Sequence, residues 1–397
     1  MKEKVRVKTQ PQLLGIVVAL GLMAALVAGC GGGSSSTTGA ATGESGGGET
    51  SSDFLAQMET NVEGNFGPKG SYAEEPTTSP VKAGENRKIA IISCGQQSGA
   101  CANASKAATE AAQKLGWQAT LFDAKLNLPS AATGIRQAIA RGDDGIFVYF
   151  IDCTYIKAAL AEAKKAGIPV VAAESRDCSD TSPGSPSLFT YVLHYVDGAD
   201  YNEQQGRFFG DSAEAAIAAL DGESKALFFG EDIPTGELAE AAIEKVYDKC
   251  PDCSVEFVHF PTSAWGTRLQ GIAEQELLQH PEVNTVIPGY EAIALEVFPA
   301  VRASGRSSEI FTLMGEGGET GLNFLRDGAK GVSFNWPVEW EGYGAVDNLG
   351  RLFLGQKPVP IGLGSQLIDA EHNMPKSGPA ESPVDFKAMY EKAWGLK

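Results

Sequence analysis

The residues in this chain that could do chemistry stand just past short apolar runs. Gln96, Gln97 and Ser98 follow the run 88–93, and Glu174, Ser175 and Arg176 follow the run 168–173. Further along come Glu231 and Thr235, then Trp265, then Tyr290 and Glu291, then Glu316, and last Asn335 and Trp336. Amides, hydroxyls and carboxylates exchange hydrogen bonds with hydroxyl groups, and a flat indole covers an apolar ring face. The set therefore suits a neutral polyhydroxylated small molecule. Two of Glu174, Glu291 and Glu316 at suitable separation could instead cleave a glycosidic bond, although acids in a polar cleft more often serve as hydrogen-bond acceptors. Plain structural uses compete with these roles: Glu174 as a cap or hinge acid, Arg176 as a partner for Asp177 or Asp180, and Trp265 and Trp336 as core at a domain edge. No Walker loop, no G-x-G-x-x-G after a strand and no H-E-x-x-H occurs, and His194, His259, His280 and His372 are scattered. The sequence asks for no cofactor, no metal and no catalytic residue.

The cysteines carry a different chemistry. A basic start (Lys2, Lys4, Arg6, Lys8) leads into the apolar run 13–28, which ends at Val27-Ala28-Gly29-Cys30. That pattern reads as a secretory leader over 1–30 with Cys30 as the lipidated first residue, which places the rest of the chain outside the cytoplasm, held to the outer face of the membrane. Six cysteines remain, an even number that favours disulfides in an oxidising compartment. Their positions suggest Cys94 with Cys101, Cys153 with Cys178, and Cys250 with Cys253. A zinc site built from Cys250, Cys253 and His259 or His280 lacks a fourth ligand at sensible spacing.

Charge narrows the partners. Losing Lys2, Lys4, Arg6, Lys8 and Glu3 with the leader takes the formal charge from −18 to −21. So acidic a surface repels phosphate backbones and excludes nucleic acid as a partner.

The elements that must position these residues begin after a long polar stretch. Residues 31–86 are dominated by Gly, Ser, Thr, Glu and Pro without apolar period, and read as a disordered tether. It contains Gly43-Glu44-Ser45-Gly46-Gly47, which matches G-x-S-x-G but has neither the strand before nor the helix after that a nucleophile elbow needs. From Lys88 onward apolar runs alternate with alanine-rich helical patterns. Strands are expected at 88–93, 117–123, 145–150, 168–173 and 188–193, and in a second series at 225–229, 254–260, 283–287, 310–314 and 331–334. Such alternation implies α/β architecture: two doubly wound parallel sheets, each covered by helices on both faces. Ligands of open parallel sheets lie beyond the carboxyl ends of the strands, where the polar residues above fall.

The segments KIAIISCGQQSGACANASKAATEAAQKLGW, GIRQAIARGDDGIFVYFIDC, AKKAGIPVVAAES and VNTVIPGYEAIALEVFPAV, in this order, resemble the ribose-binding-protein-like, type 1 periplasmic binding proteins. The likeness covers about 87–365. It implies two Rossmann-like lobes joined by a three-crossing hinge, one lobe at 87–195 plus 337–364 and the other at 198–335 plus 365–397. It further implies a monomeric solute receptor that traps a sugar-like molecule between its lobes and delivers it to the permease of an ABC importer. A ligand-sensing subunit for a chemoreceptor or sensor kinase would use the same trap. The chain departs from the sugar-binding members at several contact positions. Ala100 and Cys101 stand where pentose receptors carry aromatic residues, Ser175 where they carry an arginine, and Gly317 beside Glu316 where they carry an aspartate. Sugar, polyol, cyclic amine and other small solutes all remain open.

Overall fold

The structure is a computed structural model that describes residues 7–8, 51–73, 84, 86–266 and 268–396. Cys30, and the leader apart from Val7 and Lys8, lie outside the described residues, as do 31–50 and 74–83 of the expected tether.

In chain order the elements are β1 (Val7–Lys8), α1 (Ser51–Asn65), β2 (Lys88–Ser93), α2 (Gly99–Lys114), β3 (Gln118–Asp123), α3 (Ala131–Arg141), β4 (Gly145–Tyr149), α4 (Cys153–Lys165), β5 (Val170–Ala173), α5 (Cys178–Thr181), β6 (Tyr191–Val192) and α6 (Tyr201–Ala218). They continue as β7 (Lys225–Glu231), α7 (Pro234–Tyr247), β8 (Ser254–Phe260), α8 (Leu269–Gln279), β9 (Thr285–Pro288), α9 (Glu291–Ala303), β10 (Phe311–Leu313), α10 (Glu319–Arg326), β11 (Gly331–Asn335), α11 (Val338–Phe353), β12 (Gln366–Ile368) and α12 (Phe386–Ala393). One sheet has the order β3-β2-β4-β5-β6 and is parallel throughout. The other has the order β1-β8-β7-β9-β10-β11-β12, parallel from β8 to β11 with an antiparallel strand at each edge. The central strands are continuous apolar runs because helices cover both faces and leave no polar side. Thus every residue of β4 and β5 is buried.

The alanine stripe of α2 has a specific use. Ala104, Ala107, Ala108, Ala111 and Ala112 are buried, and α11 lies against them. At Gly342 a Cβ would come within 2.6 Å of the Ala104 carbonyl oxygen and 2.7 Å of the Ala108 nitrogen. The two backbones therefore approach as closely as small side chains permit. This contact returns residues 338–353 to the first lobe, where Tyr343 donates to Glu110 of α2 at 2.8 Å. The disulfides join Cys94 to Cys101, Cys153 to Cys178, and Cys250 to Cys253, as the cysteine positions suggest.

Two expectations fail in part. The tether is not unstructured over 51–73: α1 packs on α6 of the second lobe with Phe54 and Met58 buried. Asn61 donates to Glu214 at 2.9 Å, and the turn segment after the helix bonds to 362–366 through Ser71 N to Ser365 O at 2.8 Å. The apolar residues Phe54, Leu55, Met58 and Val62 make an amphipathic face inside an otherwise polar stretch, and that face outweighs the ordering entropy. The tail 365–397 does not stay in the second lobe either. β12 closes the second sheet, but α12 crosses back to α11, where Trp394 stacks on Tyr343 at 5.7 Å and donates to Asp347 at 2.9 Å. From β2 onward the chain thus crosses between lobes near 196, 336, 364 and 382, once more than the resemblance implies.

The docking of α1 gives a direct expectation. Phe54→Ala should lower the stability of the purified protein by about 3 kcal/mol in denaturant unfolding. A change within about 0.5 kcal/mol, as for an exposed position, would mean that this helix does not pack.

Candidate functional site

The carboxyl ends of both sheets face each other across a cavity of about 490 Å3. The first lobe contributes Gln97, Ser98 and Glu174, the second contributes Trp265, Tyr290, Glu291 and Glu316, and the crossing after β11 contributes Asn335 and Trp336. These nine are brought together as the strand-end argument requires. Phe150 and Glu174, each the first residue past its strand, have φ of 55° and 49°. A left-handed conformation at a non-glycine residue is costly and persists where surrounding structure holds it. Here it turns both side chains to the cavity, where Phe150 meets Tyr290 of the opposite lobe edge-on at 5.2 Å.

Four predicted residues lie elsewhere. Gln96 points into the first lobe and donates to Ser93 at 2.8 Å. Arg176 is a strap between the lobes: its guanidinium donates to Pro234 O at 2.9 Å, Asn202 Oδ1 at 3.1 Å and Asp180 O at 3.0 Å. The last of these is near the pairing with Asp180 foreseen as its structural use, although the acceptor is the backbone carbonyl. Thr235 faces Asp152 across the same seam, 3.4 Å from each carboxylate oxygen. Glu231 is 2% exposed and neither of its carboxylate oxygens has a hydrogen-bond partner. Arg176, Glu231 and Thr235 are short of the cavity because the strands and turns that carry them end against the neighbouring lobe, and Gln96 because its amide turns back to Ser93.

The sequence missed the group that organises the site. Glu341, in the first turn of α11, is fully buried and accepts from Tyr149 at 3.0 Å and from Tyr195 at 2.9 Å. Burial pushes its carboxyl up to about 7. Its neighbour Trp340 is an apolar anchor, between the rings of Tyr72 at 5.9 Å and Phe386 at 5.2 Å. Glu341 is adjacent in charge to Glu174, whose Oε2 accepts from Gln205 at 3.0 Å while Oε1 has no partner. Burial, and then the charge of Glu341, hold the Glu174 carboxyl well above the usual range, against the opposing effect of Tyr201 and Trp336. Glu316 is raised by burial and by the charges of Glu291 and Glu174.

Two of the remaining acids are already engaged. Glu291 accepts the amide protons of Glu316 at 2.9 Å and Gly318 at 2.8 Å, so it fixes the loop after β10. Glu296 accepts the Gly266 amide at 2.6 Å and fixes the turn bearing Trp265. Asn335 spends its amide protons on Glu381 O at 2.8 Å and Gln366 at 3.3 Å. Three polar groups face the cavity without partners, the Glu174 Oε1, the Tyr290 hydroxyl and the Trp265 indole N–H. The site can therefore offer acceptors at Glu174 and Glu316, a donor at Trp265 and aromatic faces from both lobes.

Glu231 gives a pH test. Burial and then the charge of Asp152 push its carboxyl up to about 8, far above an unfolded glutamate near 4.3. The native state thus holds this proton more tightly, so its contribution to stability is complete below about pH 4.3 and is lost as pH rises through 8. Asp152, raised to about 6, acts in the same direction. The melting midpoint of the ligand-free protein should fall from pH 5 to pH 8, and Glu231→Gln should melt above wild type at pH 8 with a shallower fall. Superimposable pH profiles would refute the buried, unpaired state of this acid.

Known structures share this fold. A solute-binding protein from Burkholderia graminis, in complex with D-arabinose, is 20% identical, with a TM-score of 0.63 over 74% of this chain and 98% of its own. A sugar transporter subunit from Rhodobacter sphaeroides is 20% identical, with a TM-score of 0.62 over 72% and 99%. A third, from Actinobacillus succinogenes with bound D-allose, is 17% identical, with a TM-score of 0.61 over 72% and 98%. No protein among the curated sequences matches the chain significantly. At such identities the structural likeness shows the fold, which is the two-lobed type 1 binding-protein fold that the resemblance implied. The sequence profile of the periplasmic binding protein domain matches residues 89–357, well over half of the chain, and the chain belongs to that family.

Proposed function

We propose that this chain is an extracytoplasmic receptor that captures one small polar solute between its lobes, closes around it, and hands it unaltered to the permease of an ABC importer. The observation that carries the reading is the cavity of about 490 Å3, lined from both lobes and from the crossing, with unpartnered polar groups facing it. Its volume is that of a site for a single small molecule. Similar structures hold D-arabinose and D-allose, which makes sugars and polyols the first class to test. The acids engaged with backbone amides, Glu291 and Glu296, are poor candidates for proton transfer, which favours binding over bond cleavage. Export and attachment rest on the leader ending at Cys30, whose acyl chains would keep the receptor beside the permease.

Two outcomes are expected. Trp265→Ala should weaken solute binding by roughly 1–3 kcal/mol in calorimetry, with the midpoint of the ligand-free protein nearly unchanged because the indole N–H has no partner to lose. Unchanged affinity would move the site, and chemical conversion of the solute during incubation would favour an enzyme. Cys30→Ser should release the protein from the membrane fraction of expressing cells. Retention of the variant in that fraction would mean a different anchor.

A further inference from the structure

The charges around the cavity do not balance. Glu174, Glu291, Glu296, Glu316 and Glu339 line it, and among the described residues that line it there is no lysine, arginine or histidine. Arg176, the basic residue that the sequence places here, is turned to the seam between the lobes and holds three backbone and amide acceptors there. Glu291 and Glu296 are offset by backbone amide protons. Glu174 and Glu316 face the cavity with no cation opposite them, and Glu341 adds a third carboxyl immediately behind.

We propose, building on the receptor reading, that the solute is a small organic cation, a protonated amine, whose positive group sits between Glu174 and Glu316 against the aromatic faces of Phe150, Tyr290 and Trp265. A neutral polyol could donate hydroxyl protons to these acids but would leave each either charged and uncompensated, which costs several kcal/mol per ion, or still protonated and so without the charge pairing that a cation offers. An ammonium supplies the donors and the charge together. Aromatic faces attract cations electrostatically, more strongly once water is excluded. Two independent features point to the same occupant. Glu174 is 6% exposed with its Oε1 unpartnered, so a buried acceptor is waiting for a donor. Phe150 and Tyr290 reach from opposite lobes to meet at the cavity wall, so closure itself assembles the aromatic surface. The upward shift of both carboxyls is what uncompensated burial produces, and the cation replaces the protons they otherwise hold. The unpartnered Trp265 N–H further asks for an acceptor on the same solute, such as a hydroxyl or carbonyl oxygen.

The test uses the purified full chain and the small molecules of yeast extract, separated at pH 7 on a weak cation exchanger into retained and unretained pools matched for inorganic salt. The retained pool should raise the melting midpoint, and the unretained pool should not. Glu174→Gln should abolish the response, or weaken binding of the isolated active compound at least tenfold, with Glu316→Gln as the second variant should the first fail to fold. A response to the unretained pool alone would overturn the cation and leave the receptor reading standing. No response to either pool would overturn both. A full wild-type response in both variants would overturn the placement of the charge between these two acids.

Discussion

A carboxylate taken out of water and left without a counter-charge is among the least favourable things a fold can bury, and the junction of these two lobes buries several. Everything around Glu341 and Glu174 answers to that constraint. Tyr149 and Tyr195 come from β4 and from the chain after β6 to donate to Glu341, and Gln205 comes from α6 to donate to Glu174. Three segments far apart in sequence are thereby held at one point, the place where the chain passes from lobe to lobe. The hydrogen bonds are enough to fix the carboxyls in space but not to neutralise them. On the receptor reading proposed above, a solute of the right charge would improve that state, and its binding energy would drive lobe closure.

The separation of structural from ligand-facing acids follows the same logic. Glu291 and Glu296 stand on α9, and both turn to amide protons of neighbouring loops instead of to the cavity centre. Their work is to shape the walls that carry Glu316 and Trp265. Residues that look alike at strand ends thus divide into those that build the cleft and those that remain available to its contents.

Most of the architecture was legible because parallel strands covered on both faces must be continuous apolar runs, and the runs at 88–93, 145–149 and 225–231 could hardly be read otherwise. The strand-end rule then placed Glu174, Trp265, Tyr290 and Trp336 at one cavity. What it could not give is how far each loop reaches, and so Arg176, Glu231 and Thr235 fell in the seam beside the site. Glu341 was hidden in a helix start, where an acid is ordinarily a favourable partner for the amide protons. Nothing in its neighbours says that α11 buries that turn between two tyrosines. The helix over 51–65 was masked by the Gly- and Ser-rich composition around it, although Phe54, Met58 and Val62 recur every fourth residue. The return of α12 was equally readable after the fact, since Tyr390 and Trp394 share one helical face.

The docked segment 51–73 changes the geometry of delivery. Fifty-six residues between the proposed lipid and the first lobe would let the receptor wander up to ~200 Å from its anchor point if fully extended. With α1 fastened to α6 and the Tyr72 hydroxyl bonded to the Asn335 carbonyl at the crossing, only the twenty residues 31–50 separate Cys30 from the folded body. Their greatest reach is ~70 Å. Under the proposed lipid anchoring, the membrane would hold the molecule by its second lobe and hinge, so the leash would limit both the height and the tilt at which the cleft could meet a permease mouth, and a loaded receptor would search a small hemisphere for its transporter instead of a large one.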